Sequence, residues 1–286
     1  MLGIAALLVL GSGFIHAVWN LYTKRSMNKH VFLWGCQLIA IAVFLPWTIM
    51  ELDQVHYSST ALIVVSASML LHGLYVVLLA AAYSVGDLSQ VYPIMRGTSP
   101  LLVPLAGVFL LDERLSPFGW AGVALIVVGI VLVSGIRLER KQGTSLKAPM
   151  LALAVGLCIA GYIVIDKIAL DYVPAVVLNE ASNIGNVLAL SWATFKSGAI
   201  RREIKINWKV ILLGGVLAPA GYLLFLFALT LAPVAQLAPM REIGTVFGTV
   251  MGVFLLREAQ GRRRLVCSML ITAGVVMLGL WGPAGG

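Results

Sequence analysis

Tyr83 to Pro117 reads YSVGDLSQVYPIMRGTSPLLVPLAGVFLLDERLSP, and Phe227 to Gly261 reads FALTLAPVAQLAPMREIGTVFGTVMGVFLLREAQG. The second stretch repeats the first. Gly-Val-Phe-Leu-Leu at 107–111 returns at 252–256, Met95-Arg96 returns as Met240-Arg241, and Glu113 returns as Glu258. These matches share one offset, about half the chain. Gln90-x-x-Pro93 returns as Gln236-x-x-Pro239, slipped by one residue. A single offset across separate motifs marks an internal duplication, which has to be settled before any other reading. The expected units are residues 1–143 and 144–286.

Both copies are long apolar segments with an arginine inside. Hydrophobic residues make up 60% of the chain and charged residues 11%, against about 45–50% and 25% in soluble domains. No soluble core of 286 residues hides that much apolar surface, so the solvent is lipid. A span needs about 20 apolar residues. Ten stretches qualify: 2–22, 31–50, 59–81, 89–111, 118–136, 149–168, 174–195, 209–231, 236–256 and 265–282. The expected fold is an all-α membrane protein. Five spans per half is an odd number, so the second half enters from the other side, giving two inverted five-helix repeats, an architecture of secondary transporters.

The net charge of +8 lies in short loops rather than in a nucleic-acid module, and no nucleic-acid partner is expected. Basic residues crowd one set of loops, among them Lys24, Arg25, the run from Arg137 to Lys147, Lys196 to Lys209 and Arg257 to Arg264; the other set holds only Arg114 and Lys167. The positive-inside rule makes the first set cytoplasmic and turns both termini outward. The first apolar run has no basic leader and no clear cleavage site, so it reads as a retained helix. Cys36, Cys158 and Cys267 lie in apolar spans without metal-ligand spacing and read as packing residues. No metal and no cofactor is expected, and a Walker A loop is missing from the sequence.

Several motifs resemble the ten-helix permeases of the drug/metabolite transporter superfamily, EamA type. They are His16-Ala-x-Trp19-Asn20 with Lys24; Gly86-Asp87-Leu88-Ser89-x-Val91-Tyr92-Pro93; Arg96-Gly97-x-x-Pro100; Glu113-Arg114-Leu115-Ser116; and Pro239-x-Arg241-Glu242 with Leu256-x-Glu258. The resemblance covers the whole chain. It implies a helical bundle in the bacterial inner membrane, with a central cavity moving small metabolites by alternating access, more naturally outward. Members are commonly drawn with cytoplasmic termini, and the loop charges here argue the reverse.

Arg96 and Arg241 lead the candidate site. A charge at mid-helix costs roughly 2.5–3.5 kcal/mol on insertion scales, so it faces a cavity or a partner. Each lies about seven residues into its span, about 5–6 Å from the midplane. Two guanidiniums at the repeat interface suit a carboxylate or phosphate. The alternative is internal neutralisation, Arg241 by Glu242 or Glu180 and Arg96 by helix-end carbonyls. Glu180 sits among Asn179, Asn183 and Asn186, a polar face at helical spacing. It is either a cavity wall with protons as the coupling ion, or structural pairing with interhelical glue.

His16, Trp19 and Asn20 share a face, and Tyr162 stands where Trp19 does in the other half. His72, Tyr75, Tyr92 and Gln236 complete the substrate-binding candidates. The rings read either as cavity wall or as an interfacial belt. Pro93 and Pro239 read as first-turn prolines, and Pro100 or Pro104 as a kink. Gly244, Gly248 and Gly252 make a smooth strip for close packing. Glu113 and Glu258 read as capping or salt-bridge residues, with a gate as the alternative.

The expected function is a secondary transporter of a small polar metabolite, an amino acid or organic anion, acting in the lipid bilayer as monomer or homodimer. The rivals are a flippase for a lipid-linked substrate, an intramembrane enzyme and a channel. The enzyme lacks a clustered nucleophile or metal set, since the four histidines are scattered and the acids sit mostly in loops.

Overall fold

A computed structural model describes residues 2–23, 26–85, 88–134, 147–255 and 261–282. The described chain is all-α. Eleven helices follow one another: α1 (Leu2–Thr23), α2 (Lys29–Glu51), α3 (Ser59–Val85), α4 (Leu88–Leu110), α5 (Pro117–Ser134), α6 (Lys147–Ala169), α7 (Ala175–Lys196), α8 (Ile200–Leu231), α9 (Val234–Met240), α10 (Ile243–Leu255) and α11 (Gly261–Trp281). Among them α1, α2, α3, α6 and α8 are both long and apolar enough to cross a bilayer unaided, and α4, α5 and α11 carry shorter apolar runs. Large apolar side chains stand on the outside, including Leu7, Leu70, Phe109 and Trp192, each at least 70% exposed. Such a surface is an aggregation liability in water and the expected wall in lipid. The three cysteines are buried and free.

Packing follows the duplication. Matching the halves pairs α1 with α6, α2 with α7, α3 with α8, α4 with α9–α10, and α5 with α11. Each major contact between halves then has its mate. α1 packs on α8 and α6 on α3; α2 packs on α8 and α7 on α3; α4 packs on α6 and α10 on α1. The remaining contacts, α2 with α7, α5 with α11 and α4 with α9, map onto themselves. A pseudo-two-fold axis does this, and the fold is two inverted five-helix repeats. At the α5–α11 contact two glycines meet: a Cβ on Gly274 would lie 2.5 Å from the carbonyl oxygen of Gly122, and one on Gly122 would lie 2.9 Å from that of Gly274. Only bare backbone allows that approach.

Two elements differ from the sequence expectation. The eighth helix starts at Ile200 rather than near 209, because the basic stretch Arg201–Lys209 stays helical. Its first turn is held by Glu203, 1% exposed, which accepts from the backbone N–H groups of Met27 (3.3 Å) and Asn28 (2.9 Å) and from Asn207 Nδ2 (2.7 Å). The ninth span is two helices. Pro239 is not a first-turn residue but the sixth of the seven in α9, where it has no N–H to give to the preceding turn. The chain then tightens: Glu242 N bonds to Pro239 O (3.0 Å), Gly244 N to Arg241 O (3.1 Å) and Thr245 N to Glu242 O (2.8 Å). These are three-residue bonds of the 3₁₀ kind, frequent at functional hinges. The helix restarts as α10. Arg241 and Glu242 are the break. By contrast α4 runs through Pro93, Pro100 and Pro104 as one helix, and Pro93, its sixth residue, is not a first-turn proline either.

Candidate functional site

The break lies against α1 because α1 has a glycine there. A Cβ on Gly13 would sit 3.1 Å from Arg241 O, 3.0 Å from Gly244 N and 2.8 Å from the Ile243 side chain. The neighbouring Ser12 is fully buried. Its hydroxyl donates to Gly221 O on α8 (2.5 Å) and accepts from Arg241 Nε (3.1 Å). The Arg241 guanidinium lies over two rings of α8, 5.1 Å from the centre of Tyr222 and 4.6 Å from that of Phe225. Rings stabilise a desolvated cation by about 2 kcal/mol. Arg241 makes no ion pair with any described residue.

Arg96 has a different environment. Its Nη1 lies 3.3 Å from Glu242 Oε1, with the two side chains 18% and 7% exposed. Glu242 Oε2 also accepts from Thr245 Oγ1 (3.2 Å). Glu242 therefore pairs with Arg96 across the halves, not with its neighbour Arg241. The two arginines expected to suit one anion thus stand in different environments, Arg96 in an ion pair and Arg241 on an aromatic seat. His16, one turn after Ser12, feels the charge of both arginines.

Beside this group stands one that the sequence reading missed. Asp166 on α6 is fully buried. Its Oδ1 accepts from Ser68 Oγ (2.5 Å), its Oδ2 accepts from the Tyr222 hydroxyl, and His72 Nε2 lies 3.1 Å from Oδ2. The His72 ring stacks on Tyr162, with centroids 3.9 Å apart, and Tyr75 meets Tyr162 edge-on at 5.6 Å. Tyr222 touches both Asp166 and Arg241, so both groups belong to one polar centre. A signal was available: Tyr162 and Asp166 lie four apart, on one face of a helix. Asp166 lies inside the expected span 149–168, near its end and beside Lys167, which the charge count places in a loop. In the structure Lys167 is helical and donates to Leu229 O (2.5 Å) and Ala232 O (3.4 Å), closing the end of α8.

The structure thus gathers Arg96, Arg241, His16, His72, Tyr75 and Tyr162, and adds Ser12, Ser68, Asp166, Tyr222, Phe225 and Glu242. It does not gather the rest. Trp19 stacks on Phe32 at 5.4 Å and fills the slot above Gly214, so it is packing between α1, α2 and α8. Gln236 donates to Leu278 O on α11 (2.5 Å). Asn179, Glu180, Asn183 and Asn186 are all buried on α7. Glu180 meets no arginine among the described residues. It accepts from Asn183 Nδ2 (3.3 Å), while its Oε1, Asn179 Nδ2 and Asn186 Oδ1 have no partner there. The side chains of Asn20 and Tyr92 lie outside the described residues, as do Lys24 and Glu258. The glycine strip also divides: a Cβ on Gly244 would meet Gly13 O at 2.8 Å, whereas one on Gly248 meets nothing within 4 Å.

At the end of the bundle opposite the basic loops lies a cleft of about 480 Å³, between the α4–α5 loop, the end of α6 and the α8–α9 turn. Glu113 crosses it and accepts from the N–H groups of Val234 (2.8 Å) and Ala235 (2.7 Å), capping α9. Asp112, with φ of 54°, turns the chain so that Glu113 can reach.

Comparison with known proteins agrees with this architecture. The family described as EamA-like transporter family matches twice, over residues 3–135 and 146–280. A putative sugar uptake protein of Listeria monocytogenes is 28% identical over 211 residues, 70% of each chain. A putative sugar uptake protein of Lactiplantibacillus plantarum is 25% identical over 262 residues, 90% of this chain and 81% of the other. The glucose uptake protein GlcU of Bacillus subtilis is 27% identical over 207 residues, 67% and 69%. One crystal structure superposes with a TM-score of 0.74 at 17% identity, covering 96% of this chain and 95% of that one, which speaks for the fold alone. The doubled match, one per inverted repeat, places this multi-pass membrane protein in the EamA-like transporter family.

Proposed function

We propose that the chain is a secondary transporter of the bacterial inner membrane that carries a small polar metabolite with one anionic group, with protons as coupling ion. The two repeats, 1–143 and 144–286, rock about the polar centre to expose it to either side. The observation that carries the substrate class is Arg241. Its guanidinium is fixed by Ser12 and two rings and makes no ion pair with a described residue, so its outer nitrogens suit a carboxylate or phosphate. Tyr222, Tyr162 and Tyr75 offer ring faces and hydroxyls to the remainder. The reading is of a carrier rather than an enzyme. Amino acids and organic anions both satisfy it.

The printed names of the relatives favour a second reading, uptake of a neutral sugar. They also favour inward movement over the export implied by the family resemblance. A sugar acid would satisfy both readings. Thermal unfolding of the purified protein against gluconate, glutamate, succinate, glucose and choline separates them. A ligand at 100 times its Kd adds about 2.7 kcal/mol to apparent stability. Anions are expected to stabilise wild type and lose the effect in Arg241→Gln. Glucose stabilising wild type and Arg241→Gln equally would overturn the anion reading.

A further inference from the structure

We propose that Asp166 is the binding site of the co-transported proton and that Tyr222 couples this proton to the anion held by Arg241. The inference rests on the anion reading of Arg241 and adds to it the proton's address and its stoichiometry.

The hydrogen bonds on Asp166 come from two other helices, one in each half. Ser68 and His72 belong to α3, Tyr222 to α8, and Asp166 itself to α6. An ionised carboxylate only accepts; a protonated one becomes a donor at one oxygen. Tyr222 and His72 both converge on Oδ2. A proton arriving there from water neutralises the acceptor that the Tyr222 hydroxyl uses and weakens that charge-assisted bond. With the proton on Oδ2 itself, the phenol oxygen becomes an acceptor for it. Its ring is half of the seat of Arg241, so the change at Asp166 reaches the guanidinium through one side chain.

Charge balance gives the stoichiometry. The elements around α6 are α3, α4, α8 and α9. From α3 come His72 and Tyr75, and from α8 comes Tyr222. α4 brings Arg96, and the break after α9 brings Arg241 and Glu242. His16 lies on α1, one turn after Ser12. On α6, Tyr162 stacks on His72, and Lys167 is turned to the end of α8. Counting the described arginines and carboxylates of the centre, Arg96 and Arg241 offset Glu242 and Asp166. One proton on Asp166 leaves the centre at a single positive charge, which a monoanion cancels. Uncancelled charge inside a membrane protein is costly, so each ligand favours the other, and this coupling is reciprocal. The transported unit is one proton with one monoanion.

Glu180, a buried carboxyl on α7, lacks such a route. Among the described residues it accepts one hydrogen bond, from Asn183, a turn further on its own helix.

Gluconate is the probe. Calorimetric titration in two buffers of different ionisation enthalpy gives the protons taken up per gluconate bound. About one is expected for wild type and for Glu180→Gln, and none for an Asp166→Asn that still binds gluconate. Tyr222→Phe is expected to keep Asp166 titratable while gluconate no longer drives the uptake. Proton uptake surviving in Asp166→Asn, or vanishing in Glu180→Gln, overturns the proposal. A second readout needs no substrate. The tyrosine absorption spectrum of wild type should shift to the blue on acid titration, as Tyr222 loses its ionised partner. The shift should persist in Glu180→Gln and disappear in Asp166→Asn and Tyr222→Phe. If no gluconate binds but the shift behaves so, the substrate reading fails and the proton site stands. If Asp166→Asn retains the shift, the proton site fails whatever the substrate.

Discussion

The ion pair between Arg96 and Glu242 offers the sharpest test of how the centre is built. Its atoms lie 3.3 Å apart, with the arginine 18% and the glutamate 7% exposed. Removing one member of a buried pair leaves a charge without its partner, which costs about 3–5 kcal/mol. Arg96 keeps some exposure, so the lower figure applies: Arg96→Gln and Glu242→Gln should each destabilise by about 3 kcal/mol. The double variant replaces both charges by amides of similar size that can bond to each other. It should lose little more than either single change, giving a coupling of about 2–3 kcal/mol in the cycle. The assay is equilibrium unfolding in mixed micelles, with all four proteins in one detergent composition. Strictly additive losses would refute the pair as a stabilising link between the halves. A Glu242→Gln as stable as wild type would show that Arg96 does not depend on Glu242.

The other predictions concern packing and capping. Gly244→Ala should destabilise by about 1–3 kcal/mol, since the new methyl would meet the Gly13 carbonyl at 2.8 Å; Gly248→Ala, with open space, should stabilise by about 0.5–1 kcal/mol through helix propensity, and unfolding midpoints of the two check the order. Glu113→Ala removes both caps of α9 and should cost about 2–4 kcal/mol, read as a lower unfolding midpoint; a Glu113→Gln that restores only part of the loss would show that the charge matters.

Much of the fold was legible in the chain itself. The shared offset of Met95-Arg96 with Met240-Arg241 showed the duplication, and apolar runs about as long as a bilayer is thick showed the medium. An odd number of spans per repeat then fixed the inversion. These are properties of spacing and composition, which sequence states directly. The placing of Arg96 and Arg241 within apolar spans was legible too, because a charge in an apolar span is conspicuous wherever the chain folds.

Which charge meets which was decided only in three dimensions. Glu242 is the sequence neighbour of Arg241, yet the tight turns after Pro239 send its carboxylate to Arg96 on α4. Asp166 has no conspicuous partner near it in sequence; Ser68, His72 and Tyr222 come to it from positions 98, 94 and 56 residues away. Trp19 looked like the counterpart of Tyr162, but Gly214 opens a slot that takes the indole out of the centre. The sequence alone determined that this is a duplicated, inverted membrane bundle with charges at its middle. The tertiary structure decided their pairing, because partners are chosen by helix rotation, glycine-permitted approach and the break in the ninth span, none of which is a property of any one segment.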